Sequence, residues 1–238
     1  MTSPSTVSRH HNQRRLVATI NTISEFIRPL SPPVDSLARE IRCSPFRILI
    51  SVVLSSRTKD AVTANASRQL FAVADTPEKL ARLSTARIGR LIYPVGFYRQ
   101  KAKNLLEIGR QLSRRGGKIP KRFQELVALP GVGRKTANLV LAQAFNRPAI
   151  AVDTHVFRIS RRLGWSSGKT PSQIEADLKK LFPRTHWRRL NHVLVGFGQT
   201  VCLPIGPKCG ECILKNQCPS AKSKEVRRSR FEVRSSTK

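Results

Sequence analysis

Four of the five cysteines, Cys202, Cys209, Cys212 and Cys218, form a Cys-x6-Cys-x2-Cys-x5-Cys array. Thiols packed this closely along a chain share a centre, and three chemistries compete for it. Disulfides belong to oxidising compartments, and the first residues lack the apolar run of a secretory signal. Zinc usually takes two well-separated Cys-x2-Cys knuckles, and only one such pair is present. An iron–sulfur centre suits unequal intervals on a single looping strand. Pro204, Pro207 and Gly210 bend this strand, and Lys208 and Lys215 add charge with which it could grip phosphate. Cys43 is left over and reads as a small core residue.

A second constellation surrounds Lys135. The run Leu129-Pro-Gly-Val-Gly-Arg-Lys-Thr-Ala137 lies between two helical stretches and reads as a helix-hairpin-helix over residues 122–145. Gly131 and Gly133 allow positive φ and close backbone approach, Pro130 and Val132 stiffen the turn, and the N–H groups opening the next helix can meet a phosphate. Lysines are usually solvated cations. At a helix start, beside Arg134, the dipole and the like charge both disfavour the ammonium and so favour a nucleophilic amine. A carboxylate would be needed to steady positive charge developing on a sugar. Asp153 is the candidate, although Asp at a helix start is first of all an N-cap; both roles can coexist. His155 reads as a packed or hydrogen-bonded residue.

These groups need a polyanion to act on, and the composition supplies the reason to expect one. Lys and Arg number 44 against 14 Asp and Glu, a formal charge of +30 on 238 residues. The segment 219–238 carries only +5 of it, so most of the excess belongs to the folded body. Such a face implies salt-sensitive binding to nucleic acid, with DNA and RNA equally compatible at this level. No stretch approaches the roughly 18 apolar residues of a membrane span, so a location inside the cell, on the nucleoid, is expected. Residues 1–15 loosely resemble a transit peptide, but they lack apolar periodicity, and organellar targeting is not expected.

The elements that must position these residues are helical. Leu16, Ile20, Ile23, Ile27 and Leu30 form an amphipathic stripe that Pro32-Pro33 should stop. Ser44-Pro45 opens a second helix, apolar nearly all round from Phe46 to Leu54; a buried strand is the alternative, and the Ser cap with Pro at the first turn favours helix. Further starts fall at Asp75-Thr76-Pro77 and Ser84-Thr85. Helices are expected over about 100–115, 122–129, 135–145, 154–163, 171–181 and 187–196. No segment alternates with period two, so the class is all-α.

Together these motifs resemble the endonuclease III family of helix-hairpin-helix DNA glycosylases. Leu129 to Asn138, Val152-Asp-Thr-His-Val-Phe-Arg158 and the cysteine intervals carry the resemblance, which runs from about Leu16 to Cys218. It implies two domains with the active site in a cleft between them. One is a six-helix barrel over 37–147 that includes the hairpin. The other, over 15–36 and 148–218, bears a [4Fe–4S] loop at 202–218, and 1–14 and 219–238 would be flexible basic arms. It also implies a monomer acting on double-stranded DNA that contains a damaged base or abasic site. Lys135 and Asp153 would be catalytic, and a base would be flipped out of the stack. Arg57, in Leu54–Asp60, would fill the gap, and Phe97-Tyr98 would act as a second wedge. Gly131, Val132, Gly133, Arg134, His155 and Lys208 would contact DNA. The family usually has glutamine where Arg57 stands, which opens the lesion and opposite-base preference. Oxidised or ring-saturated pyrimidines are the family's usual substrates. A monofunctional uracil or thymine-mismatch glycosylase and a non-catalytic nucleic-acid-binding protein are the alternatives; the mismatch branch of the family commonly has tyrosine in place of the lysine, so Lys135 argues against the first.

Overall fold

The structure, a computed structural model, describes residues 6–35 and 44–221; Cys43 and the tail beyond 221 lie outside them. Helices and loops without any strand make up the described residues, as an all-α chain requires. No helix among them is long and apolar enough to cross a membrane. The chain divides into two compact units, residues 33–151 and residues 1–32 with 152–238.

The continuous unit begins with α2 (Pro45–Ser55), the nearly all-apolar helix. Ser44 caps it by accepting from the Arg47 N–H, and Pro45 fills the first turn. These local signals select helix over strand. Every α2 residue from Phe46 to Leu54 except Arg47 is buried, and each large aliphatic among them contributes about 1.5–3 kcal/mol of burial. The unit continues with α3 (Asp60–Val73), α4 (Pro77–Ala81), α5 (Thr85–Ile92), α6 (Tyr98–Arg114), α7 (Phe123–Val127) and α8 (Arg134–Ala144), which share one apolar core with α2; α3, α6 and α8 pack on α2 itself. Thr76 and Ser84 cap α4 and α5 through their hydroxyls. Helix α3 is absent from the sequence-based expectation. Its buried face is largely small, with Thr63, Ala64, Ala66, Ser67 and a single Leu70, so no stripe of large apolar residues announces it.

The second unit joins α1 (Thr6–Ile27) to α9 (Thr154–Arg162), α10 (Pro171–Leu181) and α11 (Trp187–Thr200). Ile20 and Ile23 of α1 are fully buried, and Arg189 of α11 donates to Asn21 at 2.9 Å. Three boundaries differ from expectation. Helix α1 begins at Thr6, within the stretch 1–14 expected to be a flexible arm. It also stops at Ile27, where Arg28-Pro29-Leu30 tightens into a 3-10 turn and Leu30 is exposed. Pro29 lacks the N–H that the ladder needs and disfavours helical geometry at Arg28, so it ends the helix before Pro32 does. Helix α11 runs past Gly196 because that glycine meets α1: a Cβ there would lie 2.7 Å from Ile27 Cδ1.

Candidate active site and cysteine loop

The hairpin is a turn between α7 and α8. Gly131 takes φ +73°, and a Cβ there would strike the Asn104 amide, so position 131 requires glycine twice over. Val132 is buried in the core and donates its N–H to Leu129 O at 3.1 Å, so it braces the turn. Gly133 is exposed, with nothing within 4 Å of its Cβ position, and is the N-cap of α8. Arg134 and Lys135 follow as the first two helical residues, both exposed; the Arg134 guanidinium lies 5.2 Å over the Phe123 ring. Lys135 lines a hollow of about 310 Å³ with Gly131, Gly133, Ser55 and Ser56. A lysine on the first turn of a helix therefore borders a hollow that two serines of the α2 end also line.

Arg57 and Phe97 come together beside this hollow's α2 edge. Both take left-handed backbone conformations, φ +54° and +58°, rare for non-glycine residues. The Arg57 guanidinium sits 5.5 Å over the Phe97 ring, and Phe97 is 64% exposed. Tyr98 turns away: it is half-buried, edge-on to Tyr93 at 5.3 Å, and packs on the core. Gly96 joins the two loops, since its N–H donates to Thr58 Oγ1 at 3.2 Å and a Cβ would stand 2.5 Å from Arg57 O.

Lys101 was not anticipated. It occupies a buried position on the apolar stripe Lys101, Leu105, Ile108 and Leu112 of α6. Its Nζ donates to Leu54 O at 2.7 Å, Ser56 O at 2.5 Å and Thr58 Oγ1 at 3.2 Å. Burial pushes its ammonium down to about 8. The signal in the sequence is a lysine at a stripe position, readable only once the stripe's register is trusted.

In the other unit Asp153 caps α9. Its Oδ1 accepts from the His155 and Val156 N–H groups, both at 2.9 Å, and Oδ2 accepts from Asn191 Nδ2 at 3.3 Å. The carboxylate's direction is thus fixed by three donors. His155 is half-buried, with Nδ1 3.2 Å from Arg158, and packs against Gly198.

The cysteine loop follows α11. All four thiols are half-buried and unpaired by disulfides, and all four line one cavity of about 40 Å³. A single water needs about 10–15 Å³ on that scale, so the space suits a group of several atoms. Among the described residues, no three His, Cys, Asp or Glu side chains gather closely enough to hold a lone metal ion. The four thiols lining one cavity supply the soft donor set that an iron–sulfur cluster would need. Two arginines of α9, unassigned by sequence reasoning, hold the loop. Arg158 donates to Cys202 O at 2.8 Å and to Gly198 O at 3.2 Å. Arg162 donates to Cys202 Sγ at 3.3 Å, Leu203 O at 2.7 Å and Pro204 O at 3.0 Å. Burial lowers the Arg158 guanidinium and raises the Cys212 thiol from their ordinary values. Lys208 is exposed at the cavity rim. The i, i+4 spacing of the two arginines was visible, but their acceptors lie some forty residues away in the chain.

Comparison with known proteins places this arrangement. The profile of the HhH-GPD superfamily base excision DNA repair protein matches residues 50–184. Endonuclease III of Thermotoga maritima is 47% identical over 214 residues, covering 86% of this chain and 99% of the relative. A non-covalent endonuclease III–DNA complex superposes with a TM-score of 0.80 at 31% identity, over 90% of this chain and 98% of that one. A trapped endonuclease III–DNA covalent intermediate superposes with a TM-score of 0.73 at 35% identity, over 81% and 95%. The chain belongs to the endonuclease III family, within the HhH-GPD superfamily of base excision DNA repair proteins.

Proposed function

We infer that the protein is a DNA glycosylase and abasic-site lyase of base excision repair, with Lys135 as its nucleophile and Asp153 as the supporting carboxylate. The observation that carries this is the exposed Lys135 amine on the first turn of α8, opening into a hollow directly after the hairpin. The reaction reads from the residues. A damaged base leaves an extruded nucleotide as Lys135 Nζ bonds to C1′, and Asp153 stabilises the cationic sugar and assists proton transfer. The resulting Schiff base acidifies the C2′ proton, and β-elimination breaks the 3′ phosphate bond and nicks the strand. A covalent protein–DNA intermediate has been trapped in a relative at 35% identity, in keeping with such a route.

The substrates are oxidised or ring-saturated pyrimidines in double-stranded DNA, and abasic sites, acted on by a monomer at the nucleoid. Gly131, Gly133 and Arg134 contact the backbone from the hairpin, Lys208 contacts it from the cysteine loop, and Arg57 with Phe97 enters the gap left by the flipped base. Val132 and Tyr98 support the hairpin and the Arg57–Phe97 pair by packing on the core of their unit, and His155 packs against Gly198 in the other. Cys202, Cys209, Cys212 and Cys218 would hold a [4Fe–4S] cluster, which when bound ties four points of a loop poor in apolar core to one centre. An absorption band near about 400 nm, from thiolate–iron charge transfer, accompanies it; a colourless protein with stoichiometric zinc would exclude it.

The test of the enzyme is borohydride trapping on a duplex containing an abasic site. Wild type should give a covalent adduct and Lys135→Gln none. An absent wild-type adduct, or an equal yield from Lys135→Gln, refutes the lysine route.

A further inference from the structure

We propose that Lys101 is a positioning residue: its ammonium clasps the end of α2 and holds Arg57 and Phe97 as one two-part finger. The inference rests on the reading above, in which that finger enters the duplex.

The argument begins with the end of a helix. The last carbonyls of α2 lack intrahelical donors and carry the negative end of the helix dipole. Leu54 supplies one of them and the C-cap residue Ser56 the carbonyl just beyond the helix, and both are met by the single Lys101 ammonium, at 2.7 and 2.5 Å. The third N–H reaches Thr58 Oγ1 at 3.2 Å. Three donors are thus matched to three oxygens on residues 54, 56 and 58, so the clasp brackets Arg57 from both sides. That bracketing matters because Arg57 is left-handed, at φ +54°. Such a conformation persists in a bulky residue only when its surroundings over-determine it.

The same side chain connects the second half of the finger. Lys101 lies one helical turn beyond Phe97, its N–H donating to Phe97 O at 3.0 Å. Thr58 Oγ1, held by Lys101, also accepts from Gly96 N–H at 3.2 Å. Backbone contact between Gly96 and Arg57 closes the junction. The guanidinium therefore arrives over the Phe97 ring because two loops are pinned to one ammonium. A hydrocarbon side chain would fill the same place in the stripe but pin neither loop.

The experiment measures affinity of the full chain for a duplex with a tetrahydrofuran abasic analogue and for the undamaged duplex. It uses wild type, Arg57→Ala, Lys101→Met and the double variant. Arg57→Ala should reduce the abasic-over-undamaged selectivity by roughly tenfold, Lys101→Met should reproduce that loss, and the double variant should add less than about twofold. Thr58→Val, which cuts the link to Gly96 and leaves the buried ammonium in place, should behave as Lys101→Met does and keeps the test open if that variant does not fold. Losses that multiply in the double variant, or wild-type selectivity in both Lys101→Met and Thr58→Val, overturn the clasp while leaving Lys135 chemistry intact. A wild type that neither prefers the abasic duplex nor forms the borohydride adduct removes the underlying reading and the clasp with it.

Discussion

Asp153 caps α9 and, in the proposed reaction, also supplies the supporting carboxylate, and substitution can separate the two. Its Oδ1 satisfies two N–H groups at the start of α9, and its Oδ2 takes the Asn191 amide. Asp153→Ala removes all three bonds. Loss of an N-cap costs about 1–2 kcal/mol, and the lost Asn191 bond brings the total to about 2 kcal/mol. For a chain of this length that corresponds to a fall in Tm of about 4–8 °C. Asp153→Asn keeps an oxygen where Oδ1 stands, and Asn191 can present its own carbonyl to the new amide, so the cost should stay below about 1 kcal/mol. Catalysis divides differently, because both variants lack the carboxylate, and both should slow single-turnover adduct formation by about 10²–10⁴-fold. Thermal unfolding followed by circular dichroism, set beside borohydride trapping rates, tests the separation. An Asn variant that traps DNA within a few-fold of wild type while the Ala variant fails would reduce Asp153 to a cap.

Three further outcomes follow from the geometry. With Lys101 at about 8 in the folded chain and 10.5 as its ordinary value, the unfolded chain holds a proton between those pH values that the folded chain has released. Stability therefore rises across pH 8 to 10.5, by at most about 3 kcal/mol, and Lys101→Met should abolish that rise in urea titrations; an unchanged slope counts against it. Gly96→Ala, whose Cβ would meet a backbone oxygen at 2.5 Å, should destabilise by about 1–3 kcal/mol, whereas Gly133→Ala, with open space, should stay within about 0.5 kcal/mol; equal effects in denaturant unfolding would contradict the packing. Arg162→Met removes the N–H donated to Cys202 Sγ and two carbonyl contacts, and iron-associated absorbance should decay faster in chelator than in wild type, with identical decay as the opposing result.

What could be read from residues alone was whatever local chemistry decides. Ser44-Pro45, Thr76-Pro77 and Ser84 announced helix starts because a hydroxyl and an N1 proline act within one turn. Pro29 was overlooked in favour of Pro32-Pro33, although the earlier ring already breaks the ladder. Helix α3 escaped because small residues fill most of its inner face, so the stripe of large apolar side chains that marks the other helices is missing. At the site, the hairpin glycines and the cysteine spacing were legible as short-range patterns. The partners of Lys101, Arg158 and Arg162 were not, since each satisfies carbonyls more than forty residues distant, or nearly so, and only tertiary folding brings them within reach.

The pairing of α1 with α11 has a consequence for the nascent chain. Residues 33–151 are contiguous and can condense as soon as they emerge, but Ile20 and Ile23 find their cover only after residue 187 has been added. At a synthesis rate of roughly 5–20 residues per second, the first helix waits on the order of 10–30 s with its oily stripe bare. Ribosome-stalled or truncated products ending before α11 should therefore be the species that chaperones hold, with the middle of the molecule already folded behind them.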